Sequence, residues 1–225
     1  MTHDPQELSF DTRCVHAGQE ADPTTGAIMT PVYLTSTYVQ AAPGEHKGFD
    51  YSRTNNPTRA ALERNLASLE GGKLGLAFSS GMGAINTILN LLKSGDHVVA
   101  GNDLYGGTYR ILKTLYEKFG LGCTFVDTTN VAAIESAIRP ETKLLFFETP
   151  TNPLLRLTDL KRASAVARTR GIWSCCDNTF ATPALQNPLA LGCDLVVHST
   201  TKYLGDTVTW SAARSSPTMR ISTPS

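Results

Sequence analysis

The chain has 225 residues, with 20 basic and 20 acidic side chains and a formal net charge of zero. Hydrophobic residues make up 41% and charged residues 18%, an ordinary balance for a globular protein with enough length for a sizeable core. This charge offers no basic face to nucleic acid. The start, MTHDPQELSFDTR, lacks the basic-then-apolar order of a secretory signal, and no apolar run approaches membrane-spanning length. A cytoplasmic protein is expected.

Residues 1 to about 50 are rich in Pro, Thr and Gly and carry no period. The first firm helix signal is TNNPTRAALERNLASLEGG. There Asn56 can cap, Pro57 suits the first helical position, and Leu62, Leu66 and Leu69 share a face. Gly71-Gly72 stops it. A rhythm follows: short apolar runs at 74–78, 97–100, 123–126, 143–147, 172–176 and 194–198, separated by helical patterns. The runs are continuous rather than alternating, so both faces of each strand are covered. The fold class expected is α/β, a mostly parallel sheet with helices on both faces.

The five cysteines, Cys14, Cys123, Cys175, Cys176 and Cys193, are odd in number and contain no C-x-x-C. They read as reduced packing residues, neither a disulfide framework nor a zinc site. The five histidines lie far apart without ligand spacing, and no metal is expected. GMGAIN matches the dinucleotide fingerprint only in part, because Asn86 stands at the last glycine position.

In parallel sheets, ligands sit beyond the carboxyl ends of the strands. The residues there are Ser79-Ser80-Gly81-Met82, Asn102-Asp103-Leu104-Tyr105, Glu148 to Asn152, Asp177-Asn178-Thr179 and Ser199 to Lys202. This rim combines helix-start amides and hydroxyls for a phosphate, an aromatic ring for stacking, carboxylates and an amine. A lysine held at a desolvated rim has a lowered pKa and can form a Schiff base with an aldehyde. An aspartate against a ring nitrogen keeps that nitrogen protonated. The cofactor with an aldehyde, a phosphate and a protonatable ring nitrogen is pyridoxal phosphate.

These segments carry a resemblance. VHAGQ, YSRTNNPT, SSGMGA, DLYGGTYR, ETPTNP, DNTFATPALQNPLALG and HSTTKYLG, spanning residues 15 to 205, resemble the Cys/Met-metabolism family of pyridoxal-phosphate enzymes. That family includes cystathionine γ-synthase, cystathionine γ-lyase, cystathionine β-lyase and methionine γ-lyase. The resemblance implies the large domain of a fold-type I transferase over residues 56–205, pyridoxal 5'-phosphate as cofactor and a small amino-acid substrate. It implies that Lys202 holds the cofactor and moves the proton, and that Asp177, with Thr179 beside it, faces the pyridine nitrogen. Gly81, Met82, Ser199 and Thr201 would bind the phosphate. Tyr105 would stack on the ring and help activate the substrate amine, and Asn152 would lie near the ring hydroxyl. Tyr51 and Arg53, on an N-terminal arm of residues 1–55, would reach the phosphate of a neighbouring subunit in a dimer-built homotetramer.

LYGGTYR is similar to the cystathionine γ enzymes, whereas methionine γ-lyases usually carry cysteine where Gly107 stands. Chemistry at the γ-carbon of homoserine-derived substrates is therefore expected, with O-acetylhomoserine sulfhydrylase or methionine γ-lyase as alternatives. Family members continue after KYLG with a glycine-rich hairpin and a second domain, but this chain reads DTVTWSAARSSPTMRISTPS. One coding of that tail, with a single G placed before it, rereads as GHSDMVGGA, a family-like continuation. Residues 206–225 are thus expected to be out of frame and disordered, the C-terminal domain missing, and turnover low or absent, down to a non-catalytic remnant.

Overall fold

A computed structural model describes residues 8–205 and 209–213 of the protein. The chain divides into two compact units, residues 1–69 and 70–225.

Within the first unit, α1 (Phe10–His16) and α2 (Pro57–Glu70) are the regular elements. The N-terminal stretch expected to be irregular contains α1. It starts where the Thr12 N–H donates to the Ser9 hydroxyl at 3.4 Å, a local cap that needs no longer apolar pattern. α2 begins as expected: the Asn56 side-chain oxygen accepts from the N–H groups of Thr58 (2.9 Å) and Arg59 (3.3 Å). It ends at Gly71, whose φ of 67° closes the helix in the left-handed region. Hydrogen bonds from side chains bind α2 to the preceding chain. The Asn65 amide donates to the carbonyls of Arg13 and Ala17, both at 2.9 Å. The Thr58 hydroxyl donates to the Pro31 carbonyl and accepts from the Tyr33 N–H. These ties join α2 to the chain that precedes it, within the unit of residues 1–69.

The second unit is built on a seven-stranded sheet: β1 (Leu74–Phe78), β2 (His97–Gly101), β3 (Gly122–Val126), β4 (Thr142–Glu148), β5 (Trp173–Asp177), β6 (Leu195–Ser199) and β7 (Thr209–Ala213). Their order is β1-β7-β6-β5-β4-β2-β3. β2, β3, β4, β5 and β6 pair in parallel, and β7 runs antiparallel to both β1 and β6. The tail expected to be disordered therefore places residues 209–213 in the sheet. Between β1 and β6 it completes two ladders whose backbone groups would otherwise lack partners. The rest of that expectation lies outside the described residues.

Alternate residues of the strands fill two cores. On one face Val98, Ala100, Leu144, Phe146, Cys175 and Val197 meet Ile85, Ile88 and Leu89 of α3 (Gly81–Leu89). On the other face Val99, Leu145, Phe147 and Cys176 meet Ile134 of α5 (Val131–Ala137) and Leu160, Ala163 and Ala167 of α6 (Leu160–Thr169). Each fully buried Leu or Phe contributes about 1.5–3 kcal/mol by leaving water, which makes this two-sided burial the main stabilising term. Between β2 and β3, where the sequence shows a helical pattern, the chain forms α4 (Gly106–Arg110), a π-helical turn (Ile111–Leu115) and a 3₁₀ turn (Tyr116–Phe119). Gly106, Gly107 and Gly120 weaken the ends of this stretch, and Leu112 and Tyr116 are its buried hydrophobic residues. The Tyr116 hydroxyl lies 2.9 Å from the Asn86 side-chain oxygen on α3.

The remaining short helix is α7 (Thr182–Leu185). Among the described residues no helix is long and apolar enough to cross a membrane, and no cluster of His, Cys, Asp or Glu could hold a metal ion. Cys175, Cys176 and Cys193 are buried and unpaired, Cys123 is half-buried and Cys14 is exposed.

Candidate functional site

The carboxyl ends of β4, β5 and β6, with the start of α3, surround a cavity of ≈ 240 Å³. β1 leads through Ser79-Ser80 into α3. There the Gly83 N–H donates to the Ser80 hydroxyl at 3.1 Å, and Ser80, Gly81 and Met82 line the cavity with the helix N-terminus. A helix start of this kind presents unpaired N–H groups and a partial positive charge.

β5 delivers Asp177, only 6% exposed. Its Oδ1 accepts from the Thr179 N–H at 3.1 Å and from the Thr179 hydroxyl at 2.5 Å. The same hydroxyl accepts from the Ser199 N–H at 2.8 Å, so Thr179 ties the ends of β5 and β6 together. Burial raises the Asp177 carboxyl above its usual range; the Thr179 hydrogen bonds and then His198 oppose that rise. β6 delivers Ser199, and the turn beyond it brings Thr201 and Lys202 to the cavity. Lys202, expected at a dry rim, is exposed, because the turn at 201–204 projects past the end of the strand.

The cavity also takes Tyr105 and Asn152. Tyr105 immediately precedes α4 and is 49% exposed. Gly107 sits close beneath it: a Cβ there would lie 2.5 Å from a Tyr105 ring carbon and 2.8 Å from the Met82 sulfur. Nine residues picked out in the sequence, Gly81, Met82, Tyr105, Asn152, Asp177, Thr179, Ser199, Thr201 and Lys202, thus line one cavity. Tyr51 and Arg53 belong to the first unit. There the Arg53 guanidinium donates to the Tyr51 hydroxyl at 2.6 Å and lies 5.2 Å from the centre of its ring.

Glu148, Ser80 and Phe180 line the cavity too and were not singled out as site residues. Glu148 is the most informative. It ends β4 in register with Asp177 on β5, is 3% exposed, and its Oε2 accepts the Tyr105 N–H at 2.7 Å. Burial first, then the neighbouring Asp177, push its carboxyl up to about 8; the Tyr105 N–H opposes this and Asp103 adds to it. The signal in the sequence was the acid opening ETPTNP at the end of a buried run.

Behind the site, the carboxyl of Glu70 meets His198 Nε2 at 2.5 Å and the Asn178 amide at 2.9 Å, with the Glu70 and His198 side chains fully buried. The Gln186 amide donates to Asn178 Oδ1 at 2.8 Å and to the Thr149 carbonyl, also at 2.8 Å. This network links the segments that follow β4 and β5 to β6.

Chemically, the cavity offers helix N–H groups and hydroxyls for an anion, a buried carboxylate for a protonated nitrogen, an aromatic ring and a primary amine. That donor set suits a flat ring bearing a phosphate and a carbonyl. Among the described residues, Lys202 is the one lysine or arginine that lines the cavity.

Known proteins are similar to this chain over most of its length. A model of the family described as "Cys/Met metabolism PLP-dependent enzyme" matches residues 11–210. A Herpetosiphon aurantiacus protein named "Probable cystathionine gamma-synthase" is 50% identical over 199 residues, covering 88% of this chain and 62% of that protein. The Bacillus subtilis "Cystathionine gamma-lyase" is 51% identical over 194 residues, covering 86% of this chain and 51% of that protein. The crystal structure of metB from Corynebacterium glutamicum superposes with a TM-score of 0.92 at 44% identity, covering 95% of this chain and 57% of that one. The chain therefore spans somewhat over half the length of the relatives it matches.

Proposed function

Because the chain belongs to the Cys/Met metabolism PLP-dependent enzymes, we propose that it serves transsulfuration at the γ-carbon of homoserine-derived amino acids, as a cystathionine γ-synthase or γ-lyase. The family's cofactor is pyridoxal 5'-phosphate. When bound, it supplies an aldehyde that condenses with an amine and a protonated ring that draws electrons from the substrate carbons. The observation that carries the reading is the convergence of Lys202, Asp177 and the N-terminus of α3 on one cavity.

In this reading the N–H groups of Gly81 and Met82 and the hydroxyls of Ser199 and Thr201 hold the phosphate. Asp177 keeps a proton on the ring nitrogen, and Thr179 fixes Asp177 through its two hydrogen bonds. Asn152 would hydrogen-bond the ring hydroxyl. Tyr105 would stack on the ring and stand beside the substrate amine. Lys202 would hold the cofactor through its Nζ and would move a proton between substrate carbons. Tyr51 and Arg53, already paired through hydrogen bond and ring contact, serve the phosphate of a neighbouring copy in a homotetramer.

The γ-carbon chemistry rests on Gly107: a side chain at that position would displace the Tyr105 ring or Met82. An O-acetylhomoserine sulfhydrylase is the second reading, and comparing cystathionine with sulfide as substrate separates the two. The frame of residues 206–225 is a separate proposal. Sequencing the gene decides it, since the shifted frame must encode the family-like continuation.

The test of the main reading is reduction with borohydride after loading with pyridoxal phosphate, followed by peptide mapping. The label is expected on Lys202 and is expected to vanish in Lys202→Ala. A label on another lysine, or none, rejects the assignment.

A further inference from the structure

We infer that Glu148 and Asp177 form a carboxyl–carboxylate pair in which Glu148 holds the proton, acting as a positioning residue that keeps the negative charge on Asp177 and seats Tyr105. The cofactor-facing role of Asp177 in this statement rests on the function proposed above; the proton on Glu148 does not.

The geometry begins with the strands. Glu148 and Asp177 are register partners on adjacent parallel strands. Neighbouring strands lie about 4.8 Å apart and in-register side chains point to the same face. Both residues line the same cavity, and both are buried, at 3% and 6% exposure. Two carboxylates so placed do not both ionise readily, because each charge is desolvated and each repels the other.

Hydrogen bonds decide which one keeps the proton. Asp177 Oδ1 receives two donors, the N–H and the hydroxyl of Thr179, and both favour its ionised form. Glu148 receives one, the Tyr105 N–H on Oε2. Asp103, the third acid near Glu148, accepts a short hydrogen bond from the Thr151 hydroxyl. Burial raises the Asp177 carboxyl as well, and the Thr179 hydrogen bonds, then His198 on β6, oppose that rise. Lys202, the cation among the residues lining the cavity, sits on the exposed turn. Glu148 thus has an acid on each side, Asp177 on β5 and Asp103 after β2, and accepts fewer hydrogen bonds than Asp177. Burial and these neighbours place its titration near 8, so at neutral pH the proton resides on it, on the oxygen opposite the one bonded to Tyr105.

Two consequences follow for the site. The cavity gains one full negative charge, not two, so it does not repel a phosphate twice over. The Tyr105 N–H is anchored at the position from which α4 starts, which fixes where the ring stands over the cavity.

The experiment uses the 225-residue chain. Infrared difference spectra of wild type minus Glu148→Gln, recorded without cofactor at pH 6.5, are expected to show the C=O band of a protonated carboxyl that disappears as pH rises through about 8. A wild-type spectrum with carboxylate bands alone at pH 6.5 overturns the inference. Pyridoxal phosphate is then titrated into both proteins by absorbance. Glutamine mimics the neutral carboxyl, so the Kd is expected to stay within about twofold; if Glu148 were instead charged, removing it would tighten phosphate binding by roughly tenfold or more, which also overturns it. Glu148→Ala removes the Tyr105 anchor and is expected to weaken binding several-fold, with rescue in Glu148→Gln. Should Glu148→Gln fail to fold, the wild type labelled with ¹³C at glutamate carboxyls decides: one resonance titrating near pH 8 supports the pair, and none above about pH 6 overturns it. Failure of the wild type to bind pyridoxal phosphate at all rejects the function proposed above and leaves the infrared outcome to judge the pair.

Discussion

The two units of the chain hold themselves together by different means. In the sheet unit, Phe146, Phe147, Leu144 and Leu145 are at most 1% exposed, and stability comes from apolar burial on both faces. In the first unit, Ile28, Val32, Leu34 and Val39 are 70–93% exposed, and the chain is ordered by side-chain hydrogen bonds from residues such as Asn56, Thr58 and Asn65. Large apolar side chains are buried throughout the sheet of one unit, whereas in the other they are buried on α2, at Leu66 and Leu69, and exposed along residues 28–39. The largest expected effect tests that contrast directly. Phe146→Ala removes a fully buried ring and leaves a cavity, and should cost about 3–5 kcal/mol, read as a shifted denaturant midpoint with unchanged slope.

The acid pair gives the next effect. Glu148 has an ordinary value of 4.5 and is raised to about 8 in the folded chain. Between those values the folded state binds more protons than the unfolded state, so stability falls as pH rises. The contribution is fully present below about 4.5 and is lost as pH rises through about 8. A slope of roughly 1 kcal/mol per pH unit is expected inside the window, partly shared with Asp177, which shifts in the same direction. Melting curves from pH 6 to 8 should show a falling midpoint in wild type and a flatter dependence in Glu148→Gln. Equal slopes would count against a raised Glu148.

What was legible in the sequence follows the same division. Continuous apolar runs fixed the parallel strands to within a residue or two, because a strand buried on both faces tolerates little else. Asn56, read as a cap, does cap α2 through its side-chain oxygen; the caps of α5 and α6 by Asn130 and Asp159 emerge only in the structure. The strand ends led to nine cavity residues because parallel sheets gather their loops at one edge. Glu148 escaped because its importance lies in its register with Asp177, and register is a tertiary property. The strand at 209–213 escaped because its stabilisation is the unfilled slot between β1 and β6, which no local pattern announces. Lys202 proved exposed because the distance from a buried run says nothing about how far the following turn projects.

A smaller effect belongs to the first unit. Asn65, 9% exposed, spends its amide on the carbonyls of Arg13, Cys14 and Ala17. Asn65→Ala strands those acceptors and should cost about 1–2 kcal/mol. Limited proteolysis should locate the loss, with cleavage rising in residues 8–30 and the sheet unit unaffected. Uniform sensitivity across the chain would mean that hydrogen bonding at α2 is not what orders the arm.

The smallest effect is the sharpest probe of the contrast. Val39 is 93% exposed, so replacing it by serine removes almost no burial within the chain. In dilute solution Val39→Ser should change stability by less than about 0.5 kcal/mol. The same substitution acts differently if the arm meets a neighbouring copy, as proposed for Tyr51 and Arg53. An interface side chain loses its effect on dilution, because association stabilises the folded state in proportion to the logarithm of partner concentration. Melting midpoints of wild type and Val39→Ser measured over a hundredfold range of concentration should therefore coincide at the dilute end and separate at the concentrated end. Coincidence throughout would mean that the exposed valine faces water in every state of the protein, and the arm would lose its assigned role between copies.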